Sequence, residues 1–534
     1  MSPISGGDSG GVPPLPIPNR EVKPACADGT AMQCGRVGNR LFSVSKKKRE
    51  MKSSGREILR RTFFVSRHAG NVCFVMSLVS HLLFLFLILW DYLFFFACLV
   101  IQFIFFACLV IQFIFINFAE NIIVVMKSLR ELYKIGKGPS SSHTMGPQKA
   151  AKIFVESNRD ASLFDVILYG SLAATGKGHM TDVAIKEVLD KVAPVNIIWR
   201  PDVFLPFHPN GMKFIAYSDG KTVKNEWTVY SIGGGALSEG KGEKDMFNSP
   251  EVYELNTMTD IMKWCERTGR NYWEYVQLCE DESLWDYLST VWQTMKQTVE
   301  RGLKHEGRLP GPLNLPRKAP TYFIKASGYK QSLQTRGLVY AYALAVSEEN
   351  ASGGTIVTAP TCGACGVLPA VLYHISNGHE FNEAQILHAL ATAGLVGNIV
   401  KQNASISGAD VGCQGEVGVA CAMASAAACQ LFGGSPSQIE YAAEMGLEHH
   451  LGMTCDPICG LVQIPCIERN AFAATRALDS NLYAAFSDGS HRVSFDRVVE
   501  VMKRTGHDIP SLYKETSEGG LARGFKDDMT DESV

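Results

Sequence analysis

The stretch from Lys401 to Asn470 restricts this chain more than any other. Its middle, CAMASAAACQLFGG from Cys421, carries small residues all the way round. A helix of that kind is stable only when neighbours close on every side of it. Its ends are different. Cys413 sits in the Gly-rich turn VGCQGEVG, and Cys455 and Cys466 flank a Pro-bounded loop. Thiolates are the usual ligands of iron–sulfur clusters. Three of them on a cubane would leave one iron without a protein ligand, free to take a substrate hydroxyl as a Lewis acid. Spacing alone supports a second reading equally well, because small buried cysteines are common in Ala/Gly-rich cores.

At 534 residues the chain has room for two or three domains with large apolar cores. A net charge of −2 argues against a nucleic-acid-binding surface. The 15 cysteines are scattered and often in apolar surroundings, which fits a reducing compartment and metal ligation rather than secretion.

The first 71 residues read as a disordered extension. GGDSGGVPPLPIPNREVKP is Gly/Pro-rich without apolar period, and SKKKREMKSSGREILRR is strongly basic. Asp8, Glu21, Asp28 and Glu50 count against a transit peptide. Residues 72–125 are strongly apolar, and the runs 72–90 and 92–118 are each long enough to cross a bilayer. Yet FFACLVIQFI at 95–104 recurs letter for letter at 105–114, which points to a recent duplication. Two expectations follow: a membrane anchor through 72–118, or a working chain that starts at Met126 and stays in the cytoplasm.

Residues 126–306 read as an α+β domain, with DVILYGS, VNIIWRP, MKFIAYS and NEWTVYSIGGG as strands. SSSHTMGP at 140–147 precedes a helix from about Gln148. Hydroxyls and N–H groups at a helix start suit a carboxylate or phosphate, and equally make an ordinary cap. GSLAATGKGHMTD, from Gly170, fails the phosphate-loop pattern: it has one residue too many before Gly176, and Gly178 follows Lys177. LWDYLSTVWQTMKQTVERGL is a helix with its stripe at Leu284, Leu288, Val291 and Met295. Four prolines in residues 306–320 break all periodicity, so 307–320 is the linker. From 321 onward Ala, Gly and Leu dominate and an all-α domain is expected, with Ser435–Gln438 as a capping-box start.

The words VGCQGEVGVACAMA, GMTCDP and LVQIPCIERNA, together with IGKGPSSSHTMGP, closely resemble the iron–sulfur L-serine dehydratases. The likeness runs from Met126 to Ala522, about three-quarters of the chain. It implies a beta domain fused to an alpha, iron–sulfur, domain, with a [4Fe–4S] cluster on Cys413, Cys455 and Cys466 and no pyridoxal phosphate. By the same resemblance Ser140, Ser141, Ser142, His143 and Thr144 are candidates for holding the serine carboxylate. YGSLA–TGKGH–TD makes His179 a site candidate, and HPNGMKF and YSIGGG place Asn210 and Gly233–Gly235 near the site. The resemblance departs at Cys362, where the family more often carries Asn, and at Cys459. Cys362-x-x-Cys365 lacks the partners of a zinc ribbon or a thioredoxin-like unit and stays a rival ligand pair. Some family members end in a cysteine that enters the site, but this tail has none.

Loss of hydroxide from Cβ and a proton from Cα needs a Lewis acid, a clamp and a base. His143, His179, Lys401 and His449 are the candidate bases. The implied partner is L-serine, broken down to pyruvate and ammonia, and the implied assembly is a homodimer. Two alternatives stay open: another iron–sulfur hydro-lyase of a small hydroxy acid, or a membrane-bound iron–sulfur redox protein.

Overall fold

The computed structural model describes residues 125–219, 222–240 and 251–531, together with Phe86. The disordered extension and the apolar runs expected before Met126 lie outside the described residues, apart from Phe86 and Val125. No helix among the described residues is long and apolar enough to cross a membrane.

A five-stranded sheet forms where the sequence alternates. Its strands are, in spatial order, Val195–Arg200, Leu163–Tyr169, Gly211–Tyr217, Val223–Ser231 and Leu237–Ser238. The first two are parallel, with Val166 opposite Ile197, and every other pairing is antiparallel. The parallel pair needs a crossover, which the helix Thr181–Leu189 supplies. Phe164, Val166 and Leu168 alternate inward with Met212, Phe214 and Ala216. They meet Ala150 and Phe154 of the helix Gly146–Glu156 and Ile185 and Leu189 of the crossover helix.

The second core is helical. Val417–Leu431 is buried on all faces, as its composition requires, and is flanked by helices Glu383–Asn403, Pro436–Glu448 and Cys466–Ala485. Glycines let these helices approach. A Cβ on Gly446 would stand 2.9 Å from the Ala422 backbone. The capping box forms as read, with Gln438 N–H donating to Ser435 Oγ at 3.3 Å.

Met126–Tyr133 and the helices from Met258 to Gly302 share this helical core, so the sheet is an excursion between two segments of one helical body. Leu129 and Tyr133 lie where a Cβ on Gly394 would reach 2.8 and 2.9 Å. The region after 321 is helical but not purely so. Thr355–Val357 forms a short strand, antiparallel to Ile135–Lys137, because its β-branched residues find an open partner edge. The linker is tied down: Arg317 Nη1 donates to Glu349 Oε1 at 2.8 Å and the Lys318 N–H to Glu348 Oε1 at 2.7 Å.

Candidate active site

The buried turn Ser141–Met145 opens the helix Gly146–Glu156. Ser140 Oγ accepts from the His143 N–H at 3.1 Å, so this serine does cap. The turn is also pinned to the crossover. Thr144 Oγ1 donates to the His179 carbonyl at 2.7 Å, and Thr181 Oγ1 donates to the His143 carbonyl at 2.6 Å. These reciprocal bonds set the two imidazoles 4.6 Å apart, centroid to centroid. Burial pushes His143 down to about 3, against a hydrogen bond it donates to the Ser171 backbone carbonyl and with His208 adding to the effect. Burial and then His143 hold His179 well below the usual range. Both rings are neutral near pH 7.

The cysteines approach from the helical body. Cys413 follows Gly412, whose φ of 78° suits glycine; a Cβ there would stand 2.6 Å from the Met453 carbonyl oxygen. The Cys413 and Cys455 sulfurs and a Glu416 oxygen lie within 4.8 Å of one another. Cys466 stands outside that tight group, as the first residue of the helix Cys466–Ala485, where the helix N-terminus favours a thiolate. Cys413 pushes the Cys455 thiol up, with burial adding; burial and then Cys413 push up Cys466, against Arg469. Arg469 is the countercharge. Burial works against its charge, but Cys413, Cys466 and Cys455 raise the guanidinium above its ordinary value. Its Nη1 donates to the Thr454 carbonyl at 2.8 Å, and its Nη2 lies 3.6 Å from Asp456 Oδ1.

A third segment closes the group. The Cys455 N–H donates to the Tyr513 carbonyl at 2.8 Å, and the Glu515 N–H donates back to the Cys455 carbonyl at 2.7 Å. Ser517 Oγ donates to the Pro457 carbonyl at 2.6 Å. Glu515 is thereby carried inside, with Oε1 3.4 Å from His143 Nδ1 and 3.9 Å from His179 Nε2. Burial, then Glu416 and Cys413, push its carboxyl well above the usual range, against the Ala409 N–H.

The structure therefore gathers Ser140–Thr144, His179, Cys413, Cys455 and Cys466. Asn210 is buried beside them; its Nδ2 donates to the Ser231 carbonyl at 3.3 Å. A Cβ on Gly233 would stand 3.1 Å from Ser407 Cβ, and one on Gly235 would stand 3.6 Å from the Ser141 carbonyl oxygen. Lys401 and His449 are elsewhere. Lys401 Nζ donates to the Glu131 carbonyl at 3.0 Å. His449 ends the helix Pro436–Glu448, with Nδ1 2.9 Å from the Met445 carbonyl oxygen, and lines a surface cleft with Glu444, Arg476 and Tyr483. Cys362 and Cys365 are buried, and their loop borders the site: Thr361 Oγ1 donates to Glu416 Oε1 at 2.8 Å, and Cys362 Sγ lies 3.4 Å from Met145 Sδ. Cys459 is exposed. Cys421 and Cys429 are core.

The family model for the serine dehydratase alpha chain matches residues 178–522, and the beta-chain model matches residues 128–197. The chain belongs to the serine dehydratase family. It is 41% identical over 449 residues to L-serine dehydratase 1 of Escherichia coli (strain K12), covering 74% of this chain and 99% of that protein. It is 40% identical to the L-serine dehydratase of Haemophilus influenzae (strain ATCC 51907 / DSM 11121 / KW20 / Rd) over 74% of this chain and 99% of that protein. The L-serine dehydratase of Helicobacter pylori (strain ATCC 700392 / 26695) is 35% identical over 75% of this chain and 99% of its own length. The serine-rich turn falls in the beta-chain match, the cysteines and Glu515 in the alpha-chain match, and His179 in both.

Reasoning from sequence missed Glu416, Arg469, His208 and Glu515. Glu416 and Arg469 each lie three residues from a proposed ligand cysteine, one helical turn, which was a usable signal. His208 stands two residues from Asn210, whose N–H donates to its Nδ1 at 3.1 Å. Burial lowers His208 to about 4, against Asp410. Nothing local marks Glu515.

Proposed function

We propose that the chain is an L-serine ammonia-lyase that uses a [4Fe–4S] cluster held by Cys413, Cys455 and Cys466. The observation that carries this reading is the meeting of three buried soft thiols and one guanidinium with two neutral histidines. The donor set fits the group: thiolates are the natural cluster ligands, and Arg469 offsets their charge. A bound cluster would supply a Lewis-acidic iron to polarise the leaving hydroxyl.

The protein's own groups do the rest. The hydroxyls of Ser140 and Ser141 and the N–H groups of that helix start hold the substrate carboxylate, while Thr144 and Ser142 fix the two histidines. His179, neutral and buried, takes the Cα proton on its free ring nitrogen, and His143 keeps it in place through the paired threonine bonds. The Cβ–O bond breaks as His179 returns the proton it took from Cα to the departing hydroxide, releasing water and giving aminoacrylate. That product tautomerises and hydrolyses to pyruvate and ammonia. Burial excludes bulk water until then.

Anaerobic reconstitution of the full-length protein, with pyruvate release from L-serine as readout, tests the reading. Full activity after chelation and loss of visible cluster absorbance would refute it, and so would failure to turn over L-serine.

A further inference from the structure

The hydrogen bonds around the two histidines fix which ring nitrogens carry protons. Thr175 Oγ1 donates to the Ser171 carbonyl at 3.1 Å, so toward His179 Nδ1, 3.0 Å away, it accepts. His179 is therefore protonated on Nδ1 and carries a lone pair on Nε2. Ser171 Oγ donates to the Glu515 carbonyl at 2.7 Å, so it accepts from His143 Nε2 at 3.4 Å. That leaves the His143 lone pair on Nδ1, where the Ser142 hydroxyl meets it at 2.9 Å. Both unprotonated nitrogens face Glu515 Oε1, at 3.4 and 3.9 Å. Glu515 is 5% exposed, and its Oε2 meets no donor among the described residues. With Glu515 ionised, the Ala409 N–H and the Ser142 hydroxyl are the donors to these acceptors among the described residues, so the corner holds more acceptors than donors.

Burial and the neighbouring acids favour the neutral carboxyl of Glu515. A ligand that brings several N–H donors and a positive charge favours the carboxylate instead and completes the corner. We propose that it receives the α-ammonium group of the substrate, with the Glu515 carboxylate as its principal partner. This rests on the reading of the chain as an L-serine lyase and adds the group that recognises the amino end. An ammonium on Glu515 puts Cα one bond further on, within reach of His179 Nε2. It also keeps the nitrogen charged, which makes the Cα proton more acidic. The carboxylate then falls to the serine-rich turn, and the hydroxyl points to the cysteines. The protein holds Glu515 there at a cost: its φ is 57° and that of Ser517 is 56°, unusual for residues with a side chain.

The test uses full-length protein, reconstituted anaerobically, with Glu515→Gln and Glu515→Asp. Readouts are KM and kcat for L-serine, visible cluster absorbance, and competitive inhibition by 3-hydroxypropanoate, which is serine without its amino group. Glu515→Gln should raise KM on the order of tenfold to a hundredfold, the loss of one charge-assisted bond. The inhibition constant of 3-hydroxypropanoate should stay within about twofold, with the cluster retained. Glu515→Asp should fall between, and carries the comparison if the Gln variant does not fold. Equal weakening of both ligands, or an unchanged KM, would overturn the proposal. So would a tightly bound metal ion that Glu515→Gln releases and a Cys413/Cys455/Cys466→Ser triple variant retains. Wild-type protein that makes no pyruvate would refute the lyase reading itself.

Discussion

Gly178 precedes His179 and faces the turn at Cys459 and Gly460. A Cβ there would stand 2.3 Å from the Gly460 carbonyl oxygen and 2.9 Å from that of Cys459. Both obstacles are backbone, so neither can swing aside. Real Cβ contacts below 3.0 Å essentially do not occur, so in Gly178→Ala the two loops must part by about 0.7 Å. The shift reaches both histidines, because Thr144 bonds the His179 carbonyl and Thr181 bonds the His143 carbonyl. A misplacement near 1 Å costs a rate of roughly a hundredfold, and overpacking of this kind costs about 1–3 kcal/mol of stability. The expected result is a kcat for L-serine lowered about 30- to 100-fold, with cluster absorbance retained and a modestly lower Tm. Gly378→Ala is the control, since a Cβ there meets no atom within 4 Å. A folded Gly178→Ala with wild-type kcat would show that this contact does not set the histidines.

Single Ser replacements of Cys413, Cys455 and Cys466 should each abolish cluster absorbance, while Cys362→Ser and Cys365→Ser keep it; the reverse pattern would move the ligands to the CxxC loop. His449→Ala and Lys401→Met should leave kcat within about twofold, because neither side chain joins the histidine–cysteine group, and Lys401→Met should lower stability by about 1 kcal/mol through its lost bond to Glu131. A large loss of kcat in either would restore it as a base. Burial, then Glu448 and Glu440, raise Glu444 from 4.5 to about 8. Between those values the folded protein holds a proton that the unfolded chain releases, so this contribution is full below 4.5 and lost as pH rises through 8. Glu444→Gln should therefore gain on wild type in denaturant melts between about pH 5 and about pH 9, and parallel curves would contradict the shift.

Local chemistry was legible. The small-residue helix from Val417, the capping box at Ser435, the turn at Gly412 and the stripe on Ser283–Gly302 each follow from residues within one or two turns of each other. Lys401 and His449 were not separable from His143 and His179 by residue type alone. What separates them is which carbonyl each one faces, Glu131 and Met445 for the first two, and that depends on packing between distant segments. The short strand Thr355–Val357 was hidden for a similar reason: three residues make no periodicity, and the strand exists because Ile135–Lys137 runs beside it.

Glu515 shows why a site can be read from its motifs and still be incomplete. Its neighbours in sequence give it no marking, since KETSEGG looks like a solvated tail. It reaches the site because the backbone of Cys455 bonds the Tyr513 carbonyl and the N–H of Glu515 itself, and Ser171 holds its carbonyl. Those anchors belong to the cysteine side and the histidine side respectively. One residue is thus fixed by both halves of the chemistry it would serve. A substrate that must present its hydroxyl to one side and its Cα proton to the other needs such a shared reference point. The same logic explains the threonine pair: Thr144 and Thr181 spend their hydroxyls on each other's histidine carbonyls. Any motion of the crossover then moves both rings together and preserves their spacing. On the proposed reading, geometry of that kind would let a proton acceptor, an anchor for the amino group and a cluster held by three thiols act on one small molecule.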